Sequence, residues 1–449
     1  MNQLHAGFGR VNVTPKMGIE ITGYWIDRRA DGVLDELEIN ALALACGEQK
    51  AVLLSMDTCS LRNHTADIMR AYVAKVTGLS LESIYFHATH THTGAQLIDG
   101  SDDPLLEEYF QFVKEKLAEV TQIALADLKP AQMGFGVGRA PNIAFVRRYR
   151  MKDGSVRTNP GVNNPDILAP IGQVDERINV LRFDREGADT LVLANFGCHP
   201  DTVGGCKISG DWPTLMRASF EKAVDNTRCI FFNGAQGDIN HVNVHPKGGD
   251  LNGMFMDFDD VSRGYPHTLH MGRVVAAGVM QVYDKVQYVD VESIRCMQRL
   301  IKVPANKPKP EEMEEAYYIQ KMHADGRDAE LPYKGMMLTT MLADSARKIR
   351  LEHAPDAFDM NLSVVAIGNV AMIGVPGEPF TGIGLGFKQA QGWDLILPTC
   401  TTNGALGGYF PMRDSYEDGG YEARQSNFAA GVAELMIEEG LNLLAQMRG

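Results

Sequence analysis

The segment Ala88-Thr89-His90-Thr91-His92-Thr93-Gly94 carries the sharpest chemical signal in the chain. Two histidines at i and i+2 on extended backbone point the same way from a strand end, and imidazole, the commonest metal ligand, needs such fixed placement. The small, hydroxyl-bearing neighbours and Gly94 let a substrate approach. A second candidate, His199 in Gly197-Cys198-His199-Pro200, gains weight because it follows an apolar strand and precedes Ser209-Gly210-Asp211. A third, Glu378, lies between Pro376-Gly377 and Pro379, where the backbone is held rigid and the carboxylate is not a helix-surface charge. Each has a plainer alternative: surface histidines for the pair, structural roles for His199 and Glu378. His87 reads as a hydrogen-bonded core residue.

Two further segments bear on chemistry. Asn233 to Asn240 (NGAQGDIN) follows an apolar strand and has two glycines, so it either brings backbone N–H groups to a substrate or makes a tight turn. It is not a phosphate-binding loop, because the Lys-Ser/Thr ending and its spacing are absent. The run from Gly407 through Tyr409, Tyr416, Tyr421 and Glu422 reads, by itself, as surface turn and packing.

The elements that must position these residues follow from periodicity. Residues 51–57 form an apolar run ending in Asp57, residues 64–77 place Ile68, Met69, Tyr72, Val73 and Val76 at helical spacing, and a strand from Ile84 to Thr89 follows. This is a strand-helix-strand unit with His90 just past its second strand. The pattern recurs at 190–197, 213–225 and 229–233, which puts His199 at another strand end. Segments 361–367 and 370–375 form a hairpin turned at Gly368-Asn369 and leading into Glu378. Stretches 105–127, 267–285 and 426–448 read as amphipathic helices. The charged stretch 306–352 reads as an outer helical insertion with a solvated face. The expected fold is therefore α/β, with a mixed, largely parallel sheet flanked by helices and a metal site at the carboxyl ends of its strands.

Composition narrows the class. The 449 residues are 45% hydrophobic and 22% charged, as in ordinary globular proteins. A net charge of −14 disfavours nucleic acid and anionic membrane surfaces, leaving a small-molecule substrate and room for a homo-oligomer. The opening residues show no signal-peptide pattern and no run reaches the ~18 apolar residues of a membrane span, so a cytoplasmic location is expected. The seven cysteines are odd in number and lack CxxC spacing, which predicts buried thiols rather than disulfides or a thiolate zinc site. No linker divides the chain, so residues 1–449 are expected to form one domain.

Taken in order, these segments resemble the neutral/alkaline non-lysosomal ceramidase family over nearly the whole chain. Ala6 to Arg10 with Val13-Thr14-Pro15 and the Gly23-Tyr24 turn are similar to its opening, and Ala88 to Gly94 to its ATHTHSG segment. Phe196 to His199 with Ser209-Gly210-Asp211, Val375 to Phe380, and Tyr409 followed by Tyr416, Tyr421 and Glu422 resemble its later motifs. The resemblance implies one Zn²⁺ held by His90, His199, Glu378 and Tyr409, and a hydrolase in which metal-bound water attacks an amide or ester carbonyl. It implies proton transfer and oxyanion stabilisation by His92 and Tyr421, with an arginine at Arg147 or Arg148 facing the site. The family's GDVSPN segment is here Gly237 to Asn243, so Asn240 replaces its serine and takes a positioning role, which excludes a serine acyl-enzyme there. The chain is also expected to lack the C-terminal sandwich domain of the secreted ceramidases, which favours a soluble N-acyl or related substrate over membrane ceramide. Other readings are a lyase or isomerase using the same metal, and a non-catalytic metal-binding protein. An amidohydrolase barrel is disfavoured because a strand-helix-strand unit precedes the H-x-H pair.

Overall fold

The computed structural model describes residues 3–250, 264–405 and 407–448. Its largest element is a nine-stranded mixed sheet of β1 (Leu4–Asn12), β2 (Glu38–Cys46), β3 (Gln49–Met56), β4 (Ile84–Ala88), β5 (Lys129–Arg139), β6 (Arg177–Arg185), β7 (Thr190–Phe196), β8 (Thr227–Asn233) and β9 (Gln287–Val289). Eight run in the order β8-β7-β6-β5-β1-β2-β3-β4, and β9 pairs with β5. The expected strand-helix-strand units are both present. The helix α1 (Asn63–Thr77) connects parallel β3 and β4, and α3 (Asp211–Ala223) connects parallel β7 and β8.

The expectation of a largely parallel sheet is corrected: every other pairing in this sheet is antiparallel. Strands β2 and β3, for example, meet at the two-residue turn Gly47-Glu48, with Cys46 opposite Gln49. The apolar runs misled because antiparallel strands also become apolar throughout when both faces are covered. Ile39, Ala41 and Ala43 of β2 face one core, with Leu106, Phe110 and Val113 of helix α2 (Pro104–Ala126). Leu42 and Leu44 face another core, shared with Val365, Met372 and Leu397 of a second sheet.

That second sheet has four strands, β10 (Ile294–Pro304), β11 (Ala357–Ile367), β12 (Val370–Gly374) and β13 (Leu395–Thr399). The predicted hairpin is β11 and β12, with Ile367 opposite Val370 across Gly368-Asn369. The far face of this sheet packs on a C-terminal helix, Val432–Gln446, through Val432, Met436 and Leu443. The helix is shorter than the 426–448 stretch expected, because Ser426 and Asn427 are committed to loop contacts with Tyr409, Asn306 and Arg350. The result is a four-layer α/β/β/α arrangement.

Close packing of helix on sheet depends on Gly7, where a Cβ would lie 2.1 Å from the Ala124 carbonyl oxygen of α2. The two edges of the large sheet approach each other at their carboxyl ends. There the Asn233 N–H of β8 donates to His87 Nε2 of β4 at 3.1 Å. His87 is fully buried among these contacts, as expected for a core histidine, and burial pushes its pKa down to about 3.

The charged stretch 306–352 contains helices Met313–Ala324 and Met336–Leu351. Its exposed face is only half of it. Asp344, Arg347 and Lys348 are buried and mutually paired, and Arg347 also donates to the Arg424 carbonyl in the short helix Tyr421–Gln425. The insertion thus buttresses the segment that carries Tyr421. Among the described residues no helix is long and apolar enough to cross a membrane.

Candidate metal centre

His90 and His199 emerge where the two edge strands end. The Asn233 side chain fixes this junction, donating from Nδ2 to the carbonyls of Thr89 and Cys198 and accepting the Cys198 N–H. After β4, Thr89 and His90 donate their backbone N–H groups to Met56 and Thr58. The H-x-H pair is not on extended backbone as the sequence suggested, because His90 has φ 79°. A left-handed residue other than glycine, asparagine or aspartate is costly, and such strain is held where the surroundings over-determine it. Here Thr91 and Thr93 donate their hydroxyls to the Ser209 carbonyl at 2.7 and 3.0 Å and clamp the loop. Gly23 lets the opposite wall come close, since a Cβ there would lie 2.8 Å from the His92 ring.

Both ligand candidates have fixed tautomers. His90 Nδ1–H donates to the Cys59 carbonyl at 2.6 Å, and His199 Nδ1–H donates to the Gln236 carbonyl at 2.8 Å. This leaves a lone pair on each Nε2, the arrangement that outer partners impose on metal-binding imidazoles. The NGAQGDIN segment therefore orients His199 with carbonyl groups rather than presenting N–H groups to a ligand. Glu378 Oε2 lies 3.3 Å from His90 Nε2 and 3.1 Å from His199 Nε2. Donor atoms of these three residues all lie within 4.8 Å of one another, and all three residues are largely or fully buried.

Neither His199 Nε2 nor Glu378 Oε2 has a hydrogen-bond partner. Three donor atoms converging in this way form a candidate cation site, and two imidazoles with a carboxylate suit Zn²⁺. In the metal-free chain a proton does the same job. Burial would press His90 down, but Glu378 overrides it and holds His90 well above the ordinary imidazole range. Burial would likewise raise Glu378, but His90 and His199 hold it well below the usual carboxylate range. His199, with no such excess of favourable charge, is pushed down by burial and by Arg147.

Tyr409 is placed by strand pairing. The two-residue strands Glu378–Pro379 and Tyr409–Phe410 are parallel, with Glu378 opposite Tyr409. The Tyr409 ring lies 6.2 Å from the His199 ring and is 4% exposed, so the tyrosine-rich loop is not the surface turn that its composition suggested. Burial raises its phenol well above the usual value, against the pull of Arg147, whose guanidinium lies 4.9 Å over the ring. Arg147 is thus the arginine that faces this cluster. Its Nε pairs with Glu422 at 2.7 Å and its Nη2 donates to the Gly237 carbonyl, whereas Arg148 turns to Ser415, Asp418 and Phe380.

His92 and Tyr421 adjoin the same cluster. His92 Nε2 lies 3.3 Å from His90 Nε2, and its Nδ1 lies 3.6 Å from Asp201. Burial pushes the His92 pKa down to about 3, so it is a neutral base. The Tyr421 ring lies 5.7 Å from that of Tyr409, and its hydroxyl accepts the Trp25 indole N–H at 3.2 Å. Asn240 is buried nearby in sequence terms but bonded elsewhere: its Nδ2 donates to Asn159 Oδ1 and its Oδ1 accepts the Val242 N–H. Among the described contacts none links Asn240 to the histidines.

Sequence reasoning missed Asp201, Tyr24 and Trp25. Tyr24 donates to Asp201 and packs edge-on to His92 with ring centroids 5.6 Å apart. The available signal was Pro200-Asp201 directly after His199, a carboxylate two residues beyond a ligand candidate.

No protein-family model matches the chain, and no curated protein matches it in sequence. Solved structures do match in three dimensions. Neutral ceramidase from Pseudomonas aeruginosa superposes with a TM-score of 0.74 at 15% identity, covering 100% of this chain and 75% of that one. A ceramidase complexed with C2 superposes at 0.73 and 16%, covering 100% and 76%.

Proposed function

The chain has a neutral ceramidase-like fold, and we propose that it is a metal-dependent hydrolase acting on an amide or related ester carbonyl. The observation that carries this reading is the pair of orphaned lone pairs on His199 Nε2 and Glu378 Oε2, 3.1 Å apart and buried. His90, His199 and Glu378 would hold a zinc ion, with Tyr409 as the fourth ligand. When bound, the ion supplies Lewis acidity and brings the pKa of a coordinated water to about 7.

The chain's own residues supply the rest. Neutral His92, oriented by Asp201 as Asp201 is by Tyr24, accepts a proton at one ring nitrogen while the carboxylate steadies the charge that forms. The Tyr421 hydroxyl accepts a bond from Trp25, which leaves its own hydrogen free to serve as a donor for the developing oxyanion. Arg147 pulls the Tyr409 pKa down against burial, which would favour its phenolate once an ion is bound. Asn240 shapes the loop through Asn159 rather than attacking covalently. With a net charge of −14, a soluble N-acyl compound is a better substrate than a lipid in an anionic membrane.

Metal analysis of the purified protein, joined to a screen of amides and esters in isotopically labelled water, tests the reading. Hydrolysis must place solvent oxygen in the product. Protein free of metal after purification and inert to added zinc overturns the metal site, and product without solvent oxygen overturns hydrolysis.

A further inference from the structure

A second group of donors borders the first. Cys59, His90 and His92 present sulfur and nitrogen atoms that all lie within 4.8 Å of one another. Cys59 Sγ is 4.0 Å from His90 Nδ1, and His92 Nε2 is 3.3 Å from His90 Nε2. Cys59 is 6% exposed and His90 3%. A tetrahedral ion takes sulfur at about 2.3 Å and nitrogen at about 2.0–2.1 Å, so these side chains would turn inward to bind it.

We infer that Cys59, His90 and His92 form an alternative cation position that takes thiophilic ions and competes with the His90, His199 and Glu378 position. The two donor sets differ in softness. The first offers two nitrogens and a carboxylate, which suit zinc, and the second replaces the carboxylate with a thiolate, which favours cadmium and copper(I). They exclude each other because His90 belongs to both. Each position needs one ligand atom of that ring, so an ion held at one takes His90 away from the other. Binding at the second position releases the Cys59 thiol proton to solvent, forms a sulfur-to-metal bond and involves no change of oxidation state. It also occupies His92. The centre is silenced on two counts, a consequence that rests on the hydrolase reading, whereas the binding itself does not.

The test is a cadmium titration of the zinc-loaded full chain, followed by the ultraviolet thiolate-to-cadmium absorption band and by cadmium NMR, whose shift separates a sulfur-containing shell from an all nitrogen and oxygen one. Cys206→Ser and Cys296→Ser serve as controls because these are the two cysteines that are not buried, and Cys400→Ser controls for the buried thiol on the opposite wall. The expected result is one cadmium per chain with a sulfur signature and loss of the zinc. Cys59→Ser should keep its zinc and lose the cadmium band, while the three controls keep both. A band that persists in Cys59→Ser, or cadmium bound with nitrogen and oxygen alone, overturns the proposal. The same titration on metal-free chain reads out binding even if no hydrolase activity is found, so failure of one reading is distinguishable from failure of the other.

Discussion

Glu378 Oε2 lies 3.1 Å from His199 Nε2, and the other nitrogen of that ring already donates to Gln236. At that separation a shared proton or a bound cation holds the two atoms together, and a cation can do so for His90 as well. Zinc added to metal-free protein should therefore stabilise it by mass action, by about 2.7 kcal/mol when free zinc is a hundredfold above its dissociation constant, and so raise its thermal midpoint. His90→Ala and His199→Ala should fold, bind no stoichiometric zinc and show no such rise. Calorimetry with metal analysis checks this, and stoichiometric zinc in either variant would sink the assignment.

Tyr421→Phe removes the hydroxyl that Trp25 orients. If that hydroxyl donates to the oxyanion, kcat should fall by about 10²-fold with KM little changed and zinc content normal, because the bond strengthens chiefly in the transition state. Trp25→Phe should reproduce a milder version of the same split. Steady-state kinetics decide it: a wild-type kcat in Tyr421→Phe would reduce the tyrosine to packing.

Asn240→Ala should weaken activity without abolishing it. The side chain ties Asn159 to the Val242 N–H, so its loss loosens a loop rather than removing a nucleophile. Mass spectrometry of quenched turnover should find no acyl group on the chain, and a trapped acyl-enzyme would contradict the mechanism.

Part of this was legible in the chain itself. His90 and His199 sit past apolar strands in strand-helix-strand units, and local periodicity is enough to find such units. Glu378 was visible because proline and glycine fence it. The sheet's direction was hidden because β2 and β3 are buried on both faces, which erases the alternation that marks an antiparallel strand. Tyr409 was misjudged from composition alone, since its burial comes from Arg147 and Glu378, distant in sequence. Arg147 and Arg148 are adjacent, and what tells them apart is that Arg147 packs over Tyr409 while Arg148 packs over Phe380.

Asp35 supplies a pH prediction away from the ligands. Its carboxylate accepts from Ser209 Oγ and the Gly210 N–H, and burial, only partly offset by those bonds, raises its pKa to about 7. A carboxyl whose folded pKa is raised stabilises the fold fully below its unfolded value of about 4, and that contribution is lost as pH climbs to about 7. The slope is at most about 1.4 kcal/mol per pH unit. Asp35→Asn keeps the Gly210 N–H bond through its amide oxygen, can donate from its amide nitrogen to Ser209 Oγ, and cannot ionise. Urea unfolding should show a flatter stability profile for the variant across that window, and parallel profiles would rule out Asp35 as the source.

The candidate ligands come from strand ends spread between residues 90 and 409, and the two edge strands meet only when the large sheet is complete. During synthesis the histidines at 90 and 199 leave the ribosome long before Glu378 does. Until the second sheet has docked and delivered the Glu378 carboxylate, a nascent chain lacks one of the three donors that converge on this cluster. On the proposed reading the complete donor set exists only at the end of folding, and a truncated or stalled product lacks it.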